Sequence, residues 1–199
     1  MELLAYSQIE IEHLKRRDKK LGAAIDRIGV IEREVTPDLF TALIKSVVAQ
    51  QISRKAADTV WGRLCGQLTE ITPDSIGAAD VSDIRKCGLS MRKAEYIKGL
   101  GDVAICGELD LVQLAELSDA EIIKKLSSLR GLGIWSAEML LIFSLCRPDV
   151  VSWGDLAIRR GMINLYGLKS LSKEQFERYR KRYSPFGSVA SLYLWAVSV

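Results

Sequence analysis

Leu126-Ser-Ser-Leu-Arg130-Gly131-Leu-Gly133-Ile134-Trp135-Ser-Ala137-Glu-Met-Leu-Leu141 is the stretch that decides the architecture of this chain. Ahead of it, Ser118-Asp-Ala-Glu121 has the form of a capping box, in which a hydroxyl and a glutamate satisfy backbone amides reciprocally. Ile122, Ile123 and Leu126 then recur at helical spacing. After Gly133 a second apolar helix begins at once. Two glycines two residues apart allow a tight turn and the close approach of another backbone. Their amides, with the N-terminus of the new helix, form a concave site that holds an anion such as a phosphate without a basic side chain. A plain tight turn between packed helices is the competing reading of a lone Gly-x-Gly. Ser136 and Ala137 are small enough to let the two helices pack closely, which favours a helix–hairpin–helix clamp on a nucleic-acid backbone.

Working outward, the punctuation is helical throughout and no strand-like alternation of any length is present. Thr36-Pro37-Asp38 reads as a helix start, with Thr36 as cap and proline in the first turn. Leu39, Leu43, Val47 and Val48 follow at helical spacing. Ser53 caps a further helix that is expected to stop near Cys65-Gly66. Thr72-Pro73 and Ser90 open others, the latter running toward Cys106-Gly107, and Ser172-Lys-Glu-Gln175 is a second capping box. The expectation is an all-α protein of roughly ten helices joined by short turns. A catalytic site in such a protein lies in a cleft between helical lobes.

Composition narrows the function classes. With 48% hydrophobic and 27% charged residues in 199, the chain is globular and not disordered. No apolar run approaches the roughly 20 residues that span a bilayer. The N-terminal residues lack the positive-then-apolar order of a signal peptide, so an intracellular, cytoplasmic or nucleoid-associated protein is expected. Cys65, Cys87, Cys106 and Cys146 form no Cys-x-x-Cys pair, and His13 is the single histidine. A metal site or other bound cofactor is therefore not expected. A net charge of +3 permits an anionic partner without demanding one, so any nucleic-acid contact must come from a local patch.

Past the hairpin, Arg147-Pro148-Asp149 closes a helix, Val150-Val151-Ser152-Trp153 is extended, and Gly154-Asp155-Leu-Ala-Ile-Arg-Arg160 begins another helix. Asp155 thus falls at a helix N-terminus, where it reads either as a plain N-cap or as a reactive carboxylate. Asp149 is the more ordinary turn residue.

Taken together, LRGLGIWSAEMLL and VSWGDLAIRRG resemble the helix–hairpin–helix (HhH-GPD) superfamily of DNA glycosylases, and within it the 3-methyladenine DNA glycosylase II group. Three more stretches carry the resemblance: Val47-Val-Ala-Gln50-Gln51-Ile-Ser53, Gly88-Leu-Ser-Met-Arg92-Lys93-Ala-Glu-Tyr96, and Pro185-Phe-Gly-Ser188-Val-Ala190. It covers roughly residues 36–199.

The resemblance implies two helical lobes with a DNA-binding cleft between them. One lobe would be residues 36–148, with the hairpin at about 118–146, and the other 1–35 plus 149–199. It implies hydrolysis of the N-glycosidic bond of alkylated purines (the 3-methyladenine and 7-methylguanine type) in double-stranded DNA, after flipping the damaged base; a monomer is the default expectation, and the composition gives no reason to expect a membrane partner. Asp155 aligns with the catalytic aspartate, Gly131 and Gly133 with the hairpin glycines, and Gln51 with the residue that wedges into the duplex. Gln50, Ser53, Arg130 and Ile134 complete the expected DNA-binding set, and Trp135 and Trp153 the candidate base pocket, since a cationic base suits an aromatic face. Arg54, Lys55, Arg92, Lys93, Arg159 and Arg160 are further candidate phosphate contacts, each more readily read as a solvated charge.

Trp135 also stands where the lyase members carry a Schiff-base lysine, which implies a monofunctional enzyme that uses water. The hairpin has Arg130 where the family often has proline, and Gly187 where it often has arginine. A glycosylase for a deaminated or oxidised base, and a helix–hairpin–helix DNA-binding protein without catalysis, remain the alternatives.

Overall fold

The computed structural model describes residues 2–199, and all of its regular elements are helices. They are α1 (Gln8–Arg17), α2 (Lys19–Ile28), α3 (Leu39–Ala49), α4 (Arg54–Leu68), α5 (Pro73–Ala78), α6 (Val81–Lys86) and α7 (Met91–Ile105). Then follow α8 (Leu111–Glu116), α9 (Asp119–Ser127), α10 (Ile134–Phe143), α11 (Leu156–Tyr166), α12 (Lys173–Tyr183) and α13 (Gly187–Val197). Beyond the helices, a single bridge pairs Leu3 with Glu34 among the described residues.

The capping boxes at Ser118–Glu121 and Ser172–Gln175 form as expected, and Thr72 caps α5 with Pro73 in its first turn. Two boundaries differ from expectation. Asp38 rather than Thr36 caps α3, because its Oδ2 accepts from the Thr41 amide at 2.7 Å and an ionised acceptor makes the stronger bond. α4 runs through Gly66 to Leu68. A hydrogen at Gly66 costs about 1 kcal/mol of helix propensity, which does not stop a helix whose Leu64 and Leu68 face inward. The chain turns instead at Thr69, with φ 63°.

The described chain separates into two compact units, Met1–Val35 with Leu141–Val199, and Thr36–Leu140. The division falls inside α10, ahead of the Arg147-Pro148 turn at which the sequence punctuation breaks. In the first unit, Leu14, Leu21 and Ile25 pack with Ile158, Met162, Phe176, Tyr183, Tyr193 and Leu194. α11 crosses α13 backbone to backbone, since a Cβ at Gly161 would lie 2.0 Å from the Leu194 carbonyl oxygen. Asp18 joins α1 to α2 in one residue. Its amide donates to Leu14 O, and its Oδ1 accepts from the amides of Lys20 and Leu21. Its Oδ2 accepts from Tyr166 Oη at 2.7 Å and from the Arg182 guanidinium at 3.0 Å. Tyr166 in turn shares a 2.6 Å hydrogen bond with Tyr183.

In the second unit, Phe40, Leu43, Ile44 and Val47 of α3 are buried, as are Ile97 and Leu100 of α7 and Ile122 and Leu126 of α9. α5 lies close against α7, where a Cβ at Gly101 would meet Ile76 at 2.7 Å. The Cys65, Cys87, Cys106 and Cys146 thiols are all free. Among the described residues no helix is long and apolar enough to cross a membrane.

Candidate active site

The hairpin glycines do different work. α9 ends at Ser127, the chain turns through Leu129 and Leu132, and α10 starts at Ile134. Gly131 has φ 89°, and a Cβ there would lie 2.4 Å from Tyr96 Cδ2 and 2.7 Å from Tyr96 Cβ. Both conformation and space therefore require glycine. A Cβ on Gly133 would meet nothing within 4 Å. Nothing within the described chain crowds that position. The first amides of α10 lie at the positive end of the helix dipole. Ile134 is 58% exposed and Trp135 38% exposed beside them.

The turn from α3 to α4 belongs to the same unit. Gln50 caps α3, and its Nε2 donates to Gly131 O at 2.7 Å, so this turn is tied to the hairpin turn. Gln51 is exposed with φ 56°, a left-handed conformation rare outside glycine. Ile52 next to it is also exposed, and Ser53 caps α4 by accepting from the Ala56 amide. The Arg130 and Arg92 guanidiniums sit 6.0 Å and 5.9 Å from the Tyr96 ring centroid, both on exposed residues. The Arg54 side chain lies outside the described residues.

Asp155 and Trp153 belong to the other unit. Val150, Val151 and Ser152 are buried, the chain turns at Trp153-Gly154, and Asp155 caps α11. Its Oδ1 accepts from the amides of Ala157 at 2.8 Å and Ile158 at 2.9 Å. The residue is only 8% exposed, so a carboxylate is held in a fixed direction at a helix N-terminus, largely withdrawn from water. Trp153 meets Phe176 edge to face at 5.1 Å and carries the Arg159 guanidinium 4.9 Å above its ring. Arg159 is thus engaged with an aromatic face. Asp149 is a brace, accepting from Ser184 Oγ and from the Gly187 amide. Gly187, the departure at the C-terminal motif, has a physical account: a Cβ there would come within 2.7 Å of Asp149 Oδ1.

Lys93 departs from the surface cation expected of it. Its Nζ donates to Val48 O at 2.9 Å and Gln50 O at 2.6 Å, at the end of α3. Tyr96, which seats Gly131, was likewise unassigned by sequence reasoning. The only signal for either was their common place in the Gly88-Leu-Ser-Met-Arg-Lys-Ala-Glu-Tyr96 stretch. Among the described residues no three His, Cys, Asp or Glu side chains gather as they would around a metal ion.

Comparison with known proteins adds the following. The model of a family described as HhH-GPD superfamily base excision DNA repair protein matches residues 44–185. DNA-3-methyladenine glycosylase 1 of Schizosaccharomyces pombe is 36% identical over 202 aligned positions, 98% of this chain and 88% of that protein. The crystal structure of a DNA-3-methyladenine glycosidase from Bacillus halodurans superposes with a TM-score of 0.86 at 32% identity, over 100% of this chain and 93% of that one. The Schizosaccharomyces pombe 3-methyladenine DNA glycosylase, solved in complex with abasic DNA, superposes with a TM-score of 0.83 at 30% identity, over 94% of each chain.

Proposed function

The chain belongs to the HhH-GPD superfamily of base excision DNA repair proteins, and we propose that it is the alkylbase glycosylase of that superfamily, releasing alkylated purines from duplex DNA with Asp155 as its reactive carboxylate. The observation that carries the reading is the likeness to DNA-3-methyladenine glycosylase 1 along 98% of the chain.

The chemistry follows from charge. An N3- or N7-alkylated purine carries a formal positive charge. When its N-glycosidic bond breaks, the bonding pair goes to the base, which leaves neutral and needs no acid to protonate it. Positive charge then grows on the sugar. A fixed carboxylate near C1′ stabilises that charge without reorganising, because the Ala157 and Ile158 amides already hold it. The same carboxylate orients the water whose oxygen bonds to C1′ and accepts the proton that the water gives up. The product is an abasic sugar on an intact strand. Trp135 offers no amine for attack on the sugar, so the reaction ends there.

DNA is held by its backbone. The amides at Gly133 and Ile134 take a phosphate, Arg130 lends positive charge beside it, and exposed Gln51 enters the duplex next to the extruded nucleotide, with Gln50 and Ser53 supporting that turn. Exposed Trp135 supplies aromatic surface suited to a cationic base. A chromosomal substrate puts the protein inside the cell.

Asp155→Asn tests the assignment cleanly. Asparagine caps a helix as well as aspartate does, so the variant keeps the α11 cap and loses the charge and the proton acceptor. With duplex treated with a methylating agent, wild type is expected to release free 3-methyladenine or 7-methylguanine, and the variant about a thousandfold more slowly. Equal release from both would refute Asp155 as the reactive group.

A further inference from the structure

The turn between α3 and α4 is strained and exposed, yet one side chain from far along the chain grips it. Gln51 holds a left-handed backbone, φ 56°, without being glycine. A side chain disfavours that conformation, so something must hold it there. The last carbonyls of α3 have no partner within their own helix. Lys93, at the start of α7, spans both sides of the strained residue's entry: it donates to Val48 O at 2.9 Å and Gln50 O at 2.6 Å. The second of these carbonyls belongs to the peptide group that leads into Gln51, so the ammonium fixes the plane from which Gln51 departs.

Two further contacts extend this grip to the hairpin. The Gln50 side chain donates to Gly131 O at 2.7 Å. A carbonyl only accepts, so the amide must present its nitrogen there and its direction is determined. One turn further along α7, Tyr96 closes over Gly131 so tightly that no Cβ fits. Lys93 and Tyr96 therefore stand on one face of one helix, the first holding the α3–α4 turn and the second the hairpin turn, with Gln50 bridging the two turns. Among the described residues Lys93 meets no carboxylate, and burial pushes its ammonium below the ordinary lysine range. A half-buried cation spent on two backbone carbonyls is a costly way to end a helix when water or a glycine serves.

We propose that Lys93 is a positioning residue for DNA binding: it locks the α3–α4 turn and, through Gln50, registers that turn against the hairpin, so that both meet the DNA as one preformed surface. This rests on the glycosylase reading given above. Preorganisation of this kind shows in affinity, since an unlocked turn must be ordered during binding.

The test uses the full chain with Lys93→Met, Lys93→Arg, Gln50→Leu and the Lys93→Met/Gln50→Leu double variant. Binding to a fluorescent duplex carrying a stable abasic-site analogue is titrated well below the melting temperature of each protein, and base release from methylated duplex is timed with enzyme in excess. Lys93→Met is expected to weaken binding about tenfold, Lys93→Arg to retain most of the affinity, and the double variant to be little worse than the weaker single one, because both changes cut the same chain of contacts. Folded Lys93→Met binding like wild type, or penalties that multiply in the double variant, would overturn the proposal. If Lys93→Met does not fold, Lys93→Gln, whose amide keeps donors but no charge, replaces it, with a loss expected between those of Lys93→Met and Lys93→Arg. A wild type that binds the abasic duplex but releases no alkylated base would sink the glycosylase reading, a result distinct from an active wild type matched by Lys93→Met.

Discussion

Exchanging each hairpin glycine for alanine separates what the fold needs from what the DNA needs. At Gly131 the backbone sits at φ 89°, where a side chain costs roughly 1–2 kcal/mol. The new Cβ would also fall 2.4 Å and 2.5 Å from Tyr96 ring atoms and 2.7 Å from Tyr96 Cβ. The last of these is the root of the side chain, so swinging the ring aside does not relieve the overlap. Overpacking of this sort adds about 1–3 kcal/mol. Gly131→Ala is therefore expected to lose about 2–5 kcal/mol, and for a chain of this size to melt about 5–15 °C lower. Gly133→Ala meets no atom within 4 Å and no unusual φ. Its stability should stay within about 1 kcal/mol of wild type, the scale of an altered helix cap. On DNA the order reverses for the protein that folds well: the added methyl stands where a phosphate approaches the first amides of α10, and affinity for undamaged duplex should fall about tenfold, the loss of one charge-assisted backbone contact. Thermal melts and fluorescence-anisotropy titrations of both variants read this out. Wild-type affinity in Gly133→Ala would refute the phosphate-binding role of the turn, and equal melting losses in the two variants would refute the packing argument.

Two shorter predictions concern the reaction and the first unit. Borohydride added during turnover on methylated duplex should trap no covalent protein–DNA adduct and leave the strand uncut, because Trp135 cannot form an imine; a trapped adduct would show an amine acting elsewhere in the site. Asp18→Ala should cost about 2–3 kcal/mol in denaturant unfolding, since it strips the α2 cap and the hydrogen bonds that Asp18 accepts from Tyr166 and Arg182; a loss under 1 kcal/mol would mean that the network is incidental.

What the sequence discloses here is what local chemistry determines. Ser118 with Glu121, and Ser172 with Gln175, need only a few residues of chain to find each other, and both capping boxes form. Pro37 misdirects because the proline signal competes with a carboxylate one residue later, and Asp38 makes the stronger cap. Gly66 misdirects because a glycine on a solvated helix face weakens the helix without ending it, while the true end, at Thr69, has a β-branched residue in a left-handed conformation that no composition rule anticipates. Lys93 was illegible for a different reason. Beside Arg92 in sequence it is one of two adjacent cations, and only the packing of α3 beside α7 brings two unpartnered carbonyls within its reach. A long-range contact of this kind leaves no periodic trace.

Asp155 carries the remaining ambiguity, and the structure changes its form. From the sequence it was either a helix cap or a reactive carboxylate. It is a cap, with one oxygen accepting from two amides at the start of α11, and that does not count against the chemistry. A carboxylate that is to stabilise charge on a sugar must be held in place and kept from wandering into solvent. The two amides hold it, the burial of Val150, Val151 and Ser152 before it fixes the approach of the chain, and the helix dipole favours its negative charge. The cap is thus the means by which a single aspartate is aimed. Because asparagine offers the same oxygen to the same amides, the aim survives in Asp155→Asn while the charge and the capacity to accept a proton do not, and loss of base release in that variant reports those two functions of the carboxylate.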